Sequence, residues 1–187
     1  MARGPVLIVS GTNRPDSYAL RLARAVLGHY QRLDIPAEVY SLCDLPLDIY
    51  SPAAYKHKPE SFAPIQQKVF DASGLHLVVP EYNGSFPGVL KYFIDMLKYP
   101  ESFDRKPIAY IGESNGAWGA LRPVEQLQMV FGYRNAYTYP VRLFVSKVKE
   151  KFDADARVVD ADLDGRLARQ AEGFWSFIHC LGAVPKG

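Results

Sequence analysis

Residues 11–17 carry the groups that proteins use to bind a phosphate. This segment, GTNRPDS, supplies the hydroxyls of Thr12 and Ser17 and the guanidinium of Arg14, and it leads into a predicted helix. A helix N-terminus presents unpaired amides and partial positive charge, and an arginine adds charge-assisted hydrogen bonds to phosphate oxygens. By spacing alone, the same residues are equally typical of a capped surface helix.

Two more polar segments, residues 80–88 and 114–119, each contain two glycines at the end of a predicted strand. Glycine lets a backbone approach a flat ligand closely. Tyr82 in the first segment can stack on the ring of such a ligand or border its edge. Taken singly, the first segment is more typical of a turn whose tyrosine packs on a neighbouring helix. The second is as typical of a turn that enters a helix.

Strands and helices alternate about five times along the chain. Short apolar runs predict strands at residues 5–10, 37–42, 74–80, 106–114 and 135–146. Apolar residues at helical spacing predict helices at residues 18–33, 62–73, 89–99, 117–133 and 166–182. The alternation is typical of a doubly wound α/β domain with five parallel strands in the order 2-1-3-4-5 and helices on both faces. We expect residues 1–187 to form one such domain, with a long surface loop at 51–61.

That strand order brings the three polar segments together. They follow the first, third and fourth strands, which lie side by side in the expected sheet. Ligands of doubly wound sheets bind beyond the carboxyl ends of the strands, at the point where the strand order reverses. The convergence therefore favours a ligand site over three unrelated turns.

Composition excludes several other classes of function. A formal net charge of +2 without a dense Lys/Arg block argues against a nucleic acid or an anionic membrane as a partner. Cys43 and Cys180 form no CxxC pair, and the histidines have no metal-ligand spacing, so we expect no metal. The first turn lacks GxGxxG, and the chain has no P-loop. No apolar run is long enough for a secretory leader or a membrane span, so we expect a cytoplasmic protein.

The motifs resemble a known family. GTNRPDSYA resembles the GS-x-R-x-x-S-[FY]-N phosphate loop of the NADPH-dependent FMN reductase family, which includes quinone, azo-dye and chromate reductases. PEYNGSFPGVLKYFIDML is similar to the family signature PEYN-x-[ST]-x-PG-x-LK-x-x-ID and is the most specific element. The resemblance runs from about residue 6 to residue 181. Ala19, Ala120 and Trp118 depart from it, standing where the family often has asparagine, glycine and a smaller residue.

The resemblance implies a flavodoxin-like sheet, FMN as the cofactor, and a homodimer or homotetramer with the flavin near the subunit interface. It assigns no catalytic side chain. The positions that it implies for FMN binding come from all three segments: Thr12, Asn13, Arg14, Ser17, Tyr18, Ala19, Pro80, Glu81, Tyr82, Asn83, Gly84, Ser114, Asn115 and Gly116. From the same resemblance we expect the helix at 89–99 to help form the dimer, because Tyr92, Met96 and Tyr99 leave apolar surface on it.

The predicted function is an FMN-dependent NAD(P)H oxidoreductase. Hydride would pass from NADPH or NADH to flavin N5 and then to a small-molecule acceptor, such as a quinone, azo compound, oxyanion, ferric complex or free flavin, in a ping-pong sequence. Two alternatives stay open. One is a flavodoxin-type electron carrier without a substrate site, and the other is a flavin-free flavodoxin-like protein that acts through interactions.

Overall fold

A computed structural model describes residues 4–182 as a parallel sheet between two layers of helices. The strands are β1 (Val6–Ser10), β2 (Ala37–Ser41), β3 (Gly74–Pro80), β4 (Pro107–Glu113), β5 (Tyr137–Thr138) and β6 (Leu143–Val145). The helices are α1 (Tyr18–Arg32), α2 (Ala63–Asp71), α3 (Gly88–Met96), α4 (Leu121–Tyr133) and α5 (Ala161–Gly182). The strand order is β2-β1-β3-β4-β5, and β6 also pairs with β4, which confirms the predicted topology with one strand added.

The three central strands are buried on both faces because helices cover both sides of the sheet. Every residue of β1, β3 and β4 is buried, as the continuous apolar runs predict for a parallel sheet. Helices α1 and α5 pack with one apolar cluster on one face, while α2, α3 and α4 pack with a second cluster on the other. The carboxyl ends of β1, β3 and β4 therefore lie side by side at one edge.

The predicted fifth strand is two strands separated by a break. β5 pairs with the start of β4 and β6 pairs with its end, so both run along the same neighbour. Pro140 lies between them and has no amide hydrogen to donate to the ladder. The predicted fifth strand region, residues 135–146, thus occupies the expected edge of the sheet but forms two strands where the prediction counted one.

Residues 51–61 do lie at the surface as predicted, with Ala54 buried, but the whole segment between β2 and α2 is folded into short helical turns. It forms four short 3₁₀ turns, at Leu42–Asp44, Leu47–Tyr50, Pro52–Tyr55 and Glu60–Phe62. The side chains of Ile49, Ala54 and Phe62 are buried in the same cluster as α2 and α3. Burial of these apolar groups explains why the polar, proline-rich sequence still adopts a fixed path.

Helix boundaries differ from the sequence prediction where capping groups decide them. The side chain of Asp160 accepts a hydrogen bond from the amide of Leu163 at 2.8 Å, so α5 begins at Ala161 rather than at residue 166. Pro123 lies in the first turn of α4, where proline is tolerated, and the helix continues through it without a break. Within residues 4–182, no helix is long and apolar enough to cross a membrane.

Candidate functional site

The three polar segments meet at the carboxyl edge of the sheet, as predicted. Loop 1 (residues 11–17) follows β1, loop 2 (residues 81–87) follows β3, and loop 3 (residues 114–120) follows β4. β3 lies between β1 and β4 in the sheet, so loop 2 has loop 1 and loop 3 as its neighbours. This edge forms the candidate site.

Loop 1 ends in a well-formed start of α1. Ser17 is the N-cap residue, and its hydroxyl accepts a hydrogen bond from the amide of Leu20 at 3.2 Å. The buried Thr12 accepts one from the amide of Arg14 at 3.2 Å, which tightens the loop. Asn13 and Arg14 are exposed at the loop surface. Loop 1 thus contains an exposed cation and leads into a helix N-terminus, two features that suit a phosphate.

Loops 1 and 2 are joined through Tyr82. Its hydroxyl lies 2.9 Å from Oγ1 of Thr12, and the guanidinium of Arg14 lies over its ring at 4.9 Å from the ring centre. Tyr82 therefore contacts loop 1 through both its hydroxyl and its ring. These contacts hold the ring beside loop 1.

Loop 2 is a tight turn with an open backbone face. Tyr82 and Ser85 exchange backbone hydrogen bonds of 2.8 and 3.1 Å, and Asn83 and Gly84 between them have positive φ angles of 53° and 76°. A Cβ atom placed on Gly84 or on Gly88 would have no atom within 4 Å. The backbone here borders open space, so a flat ring system can approach it closely.

Loop 3 is anchored to β6 and to the turn that follows it. The amide of Ser114 donates to the carbonyl of Val145 at 3.0 Å, and Asn115 Oδ1 accepts from the amide of Lys149 at 3.1 Å. A Cβ on Gly119 would lie 2.7 Å from the nitrogen of Val145, so only glycine fits there. Gly116 is exposed at the tip of the loop.

Trp118 projects from this anchored loop. Its side chain is 65% exposed, so it does not pack inward as part of the core. The next two residues, Gly119 and the buried Ala120, both have positive φ angles, 54° and 65°. This backbone turns the chain into α4 and leaves the indole at the rim of the site.

Two charged residues of the site, Arg122 and Glu113, were not among the site residues predicted from the sequence. Arg122, in the first turn of α4, lies 3.9 Å from the carboxylate of Glu81 and so connects loop 2 to α4. Glu113, the last residue of β4, is only 6% exposed. An acidic residue that ends the apolar run PIAYIG was the available signal for Glu113.

The ionisation of Glu113 is strongly affected by its surroundings. Burial raises the pKa of its carboxyl to about 7, and a hydrogen bond from the amide of Ala19 opposes that shift. Ala19 is the second residue of α1. A buried carboxyl with a raised pKa thus lies at the end of β4, where loop 3 begins.

The residues present fit FMN. Arg14 and the start of α1 suit its phosphate, while the uncovered Gly84 of loop 2 and Gly88 at the start of α3 suit the planar ring system. Within the described range, residues 4–182, no three His, Cys, Asp or Glu residues are grouped closely enough to hold a metal ion.

Solved structures define the class as a flavodoxin-like α/β protein. The flavoenzyme NAD(P)H:(acceptor) oxidoreductase FerB from Paracoccus denitrificans superposes with a TM-score of 0.79 at 24% identity, over 95% of this chain and 98% of that one. Flavodoxin 2 from Bacillus cereus superposes with a TM-score of 0.63 at 13% identity, over 92% of this chain and 99% of that one. At these identities the likeness concerns the fold.

Sequence comparison gives the family. The profile of the NADPH-dependent FMN reductase family matches residues 5–150, and the chain belongs to this family of oxidoreductases. It is 32% identical over 161 residues to a 2-hydroxy-1,4-benzoquinone reductase of Burkholderia sp., covering 84% of this chain and 86% of that protein. It is 30% identical over 129 residues to the FMN-dependent NADPH-azoreductase of Staphylococcus aureus, covering 66% of this chain and 67% of that protein.

Proposed function

We propose that this protein is an FMN-dependent NAD(P)H oxidoreductase whose acceptors are small planar molecules, quinones and azo compounds first among them. The observation that carries the proposal is the junction of loops 1 and 2, where Thr12, Arg14 and Tyr82 contact one another beside the open face of Gly84. The names of the relatives in Burkholderia sp. and Staphylococcus aureus support the two acceptor classes.

The fourteen residues predicted from the motifs are the proposed FMN site. Loop 1 and α1 contribute six of them, Thr12, Asn13, Arg14, Ser17, Tyr18 and Ala19, of which Thr12, Arg14, Ser17 and Tyr18 would hold the phosphate. Those of β3 and loop 2 would line one edge of the ring system, largely through backbone atoms: Pro80, Glu81, Tyr82, Asn83 and Gly84. Ser114, Asn115 and Gly116 of loop 3 would border the other edge.

When bound, FMN supplies the redox chemistry by taking a hydride from NADPH or NADH and passing electrons to an acceptor. The chain's own residues then have to bind the cofactor, orient the substrates against it and shield the site from water. Loop 2 offers backbone amides and carbonyls to the ring, and the anchored loop 3 holds Trp118 at the rim. No acid or base side chain is needed for this transfer, which agrees with the absence of a predicted catalytic residue.

We propose a shared site in which the nicotinamide leaves before the acceptor enters, since both must contact the same face of the ring. Steady-state rates measured over a grid of NADPH and quinone concentrations test this. Parallel double-reciprocal lines are expected for the ping-pong sequence. Lines that intersect would show that both substrates bind together and would contradict the shared site.

A homodimer is proposed through α3 and α4, on a surface that differs from the predicted one. Met96 is fully buried, so the expectation that it leaves apolar surface on α3 was wrong, and Tyr92 stacks on Tyr50 at 5.0 Å. Tyr99 is 51% exposed, as predicted, and the other large exposed apolar groups here are Met129 and Tyr133 of α4, 70% and 79% exposed. They border a groove of about 330 Å³ lined by Lys91, Ile94, Asp95, Met129, Val130, Tyr133 and Arg134.

A second copy of the chain suits this groove because its lining contains both signs of charge. Lys91 and Asp95 of α3 pair with each other at 2.6 Å and can exchange partners across a twofold axis. The large exposed side chains of Met129 and Tyr133 are of the type that forms the centre of such an interface.

A cytoplasmic location, where reduced nicotinamide is available, stays a prediction.

The rival function is an electron carrier of the flavodoxin type. Carriers that dock on redox partners benefit from a strongly charged surface, whereas this chain has a formal net charge of +2. Family membership favours the reductase. Direct reduction of the FMN-loaded protein by NADPH distinguishes the two functions.

A further inference from the structure

Tyr82 belongs to loop 2, but its side chain makes its contacts with loop 1. Its hydroxyl lies 2.9 Å from Oγ1 of Thr12, and the guanidinium of Arg14 lies over its ring, 4.9 Å from the ring centre. The family motifs imply that Tyr82 borders the ring system of FMN and that Thr12 and Arg14 serve the phosphate. One side chain therefore connects the two halves of the proposed cofactor site.

Loop 2 is held by the sheet and by α4, independently of loop 1. Tyr82 and Ser85 exchange backbone hydrogen bonds of 2.8 and 3.1 Å, and the hydroxyl of Ser85 donates to Oε1 of Gln126 at 2.6 Å. The amide of Glu81 donates to the carbonyl of Glu113, at the end of β4, at 3.1 Å. Tyr82 can therefore act as the fixed side of its contact with loop 1.

The position of Arg14 depends on contacts that lead to Tyr82. The amide of Arg14 donates at 3.2 Å to Oγ1 of Thr12, the same oxygen that lies 2.9 Å from the Tyr82 hydroxyl. Thr12 is fully buried, so it acts on a phosphate through these contacts. The tyrosine ring is uncharged and holds the exposed guanidinium by a cation–π contact without neutralising its charge.

The positioning of Arg14 affects how tightly a phosphate binds. A long side chain and its loop lose conformational freedom when they close on a ligand. Contacts that hold them in place beforehand reduce this loss and so strengthen binding. Removal of the Tyr82 hydroxyl deletes the contact with Thr12 but leaves an aromatic ring beside the ring site. The loss of affinity then concerns the phosphate end of the ligand.

We propose that the Tyr82 hydroxyl, although it belongs to the loop beside the ring site, determines how much the phosphate contributes to FMN affinity. Tyr82 is a positioning residue in this role, because it acts on the phosphate through Thr12 and Arg14. The inference rests on the proposed FMN site. It assigns to a residue of loop 2 an effect that the family motifs give to loop 1 alone.

The experiment compares FMN with riboflavin, which lacks the phosphate, by titrating apoprotein with each and following the quenching of flavin fluorescence. The ratio of the two dissociation constants measures the contribution of the phosphate. For Tyr82→Phe we expect the FMN constant to rise by about three- to tenfold, the size of one lost hydrogen bond, and the riboflavin constant by about twofold or less. Tyr137→Phe, at an exposed tyrosine of β5, is the matched control and is expected to behave as wild type.

A double-substitution cycle tests the route through Arg14. In an Arg14→Ala background there is no guanidinium to position, so Tyr82→Phe is expected to raise the FMN constant by about twofold or less. A full effect in that background would overturn the inference.

The same bond is tested from loop 1. Thr12→Ser keeps the hydroxyl and is expected to retain the wild-type ratio of the two constants. Thr12→Val removes the hydroxyl and is expected to reduce the phosphate contribution at least as much as Tyr82→Phe does. Urea denaturation of each apoprotein checks folding, and the Thr12 pair supplies the comparison if Tyr82→Phe does not fold.

The outcomes separate the inference from the proposed function. Equal rises of the FMN and riboflavin constants in Tyr82→Phe would show that Tyr82 serves the ring alone and would overturn the inference. Unchanged constants for both ligands would overturn it as well. Wild-type protein that binds neither flavin would instead contradict the proposed function.

Discussion

The hydroxyl of Tyr82 lies 2.9 Å from Oγ1 of Thr12, which joins the end of β3 to the end of β1. Arg14 lies over the same tyrosine ring, so loops 1 and 2 are held in one arrangement. Thr12 is buried and also accepts a hydrogen bond from the amide of Arg14, so contacts within the protein itself stabilise this arrangement. A preorganised site loses less entropy on binding.

Arg14→Ala is expected to weaken FMN binding by about ten- to a hundredfold, because it deletes a charge-assisted contact to the phosphate. Arg14 is exposed, so the variant should fold as wild type does. The measurement is the FMN dissociation constant, with Arg24→Ala, exposed on α1, as the matched control. An unchanged constant for Arg14→Ala would show that loop 1 does not hold the phosphate.

The central strands were predictable because a strand that is buried on both faces appears in the sequence as a continuous apolar run. Apolar runs identified β1, β3 and β4, and their order placed loops 1, 2 and 3 at one edge. The broken edge strand was not predicted, since the effect of Pro140 depends on which neighbour the strand pairs with. Glu113 was missed for a similar reason: its raised pKa depends on how deeply the fold buries it, and its position in the sequence does not show that.

Trp118→Ala is expected to change the choice of acceptor more than the affinity for FMN. The indole is exposed at the rim of the site, while backbone hydrogen bonds hold loop 3 in place without it. We expect the ratio of kcat/KM values for a quinone and an azo dye to change by about fivefold or more, of the size that one lost apolar contact gives. Val159→Ala, also exposed and apolar, is the control. Equal losses for both acceptors would contradict a role in selection.

Met129→Glu is expected to convert the proposed dimer into a monomer. The substitution places a charge at the centre of an apolar surface, where it would be buried without a partner in the dimer. Sedimentation at micromolar concentration measures the effect, with Val159→Glu as a control on exposed surface elsewhere. A wild-type protein that sediments as a monomer would contradict the interface.

His76 is expected to make the stability of the fold sensitive to acid. Its fully buried ring bonds the hydroxyl of Tyr30 at 2.9 Å and Gln170 at 3.1 Å, and burial lowers its pKa to about 4. Unfolding then takes up a proton between about pH 4 and the ordinary pKa of about 6.5. The contribution of His76 is complete above that range, and about 2 kcal/mol of it is lost by pH 5.

The variant His76→Phe isolates this effect from other titrating groups. At neutral pH it should unfold more easily than wild type by about 2–3 kcal/mol, since Tyr30 and Gln170 lose their partner. Because Phe does not titrate, the difference should shrink by about 2 kcal/mol at pH 5. Urea denaturation at both pH values measures it. A difference that is the same at both would show that His76 is not buried in the neutral form.

The central claim is that the chain holds FMN where NADPH can reduce it. The most direct measurement is the visible absorption spectrum of the FMN-loaded protein under anaerobic conditions, before and after NADPH is added, and again after a quinone is added. We predict that the bands of oxidised flavin disappear with NADPH and return with the quinone. A protein that retains no FMN after loading, or whose flavin spectrum NADPH leaves unchanged, would contradict the account.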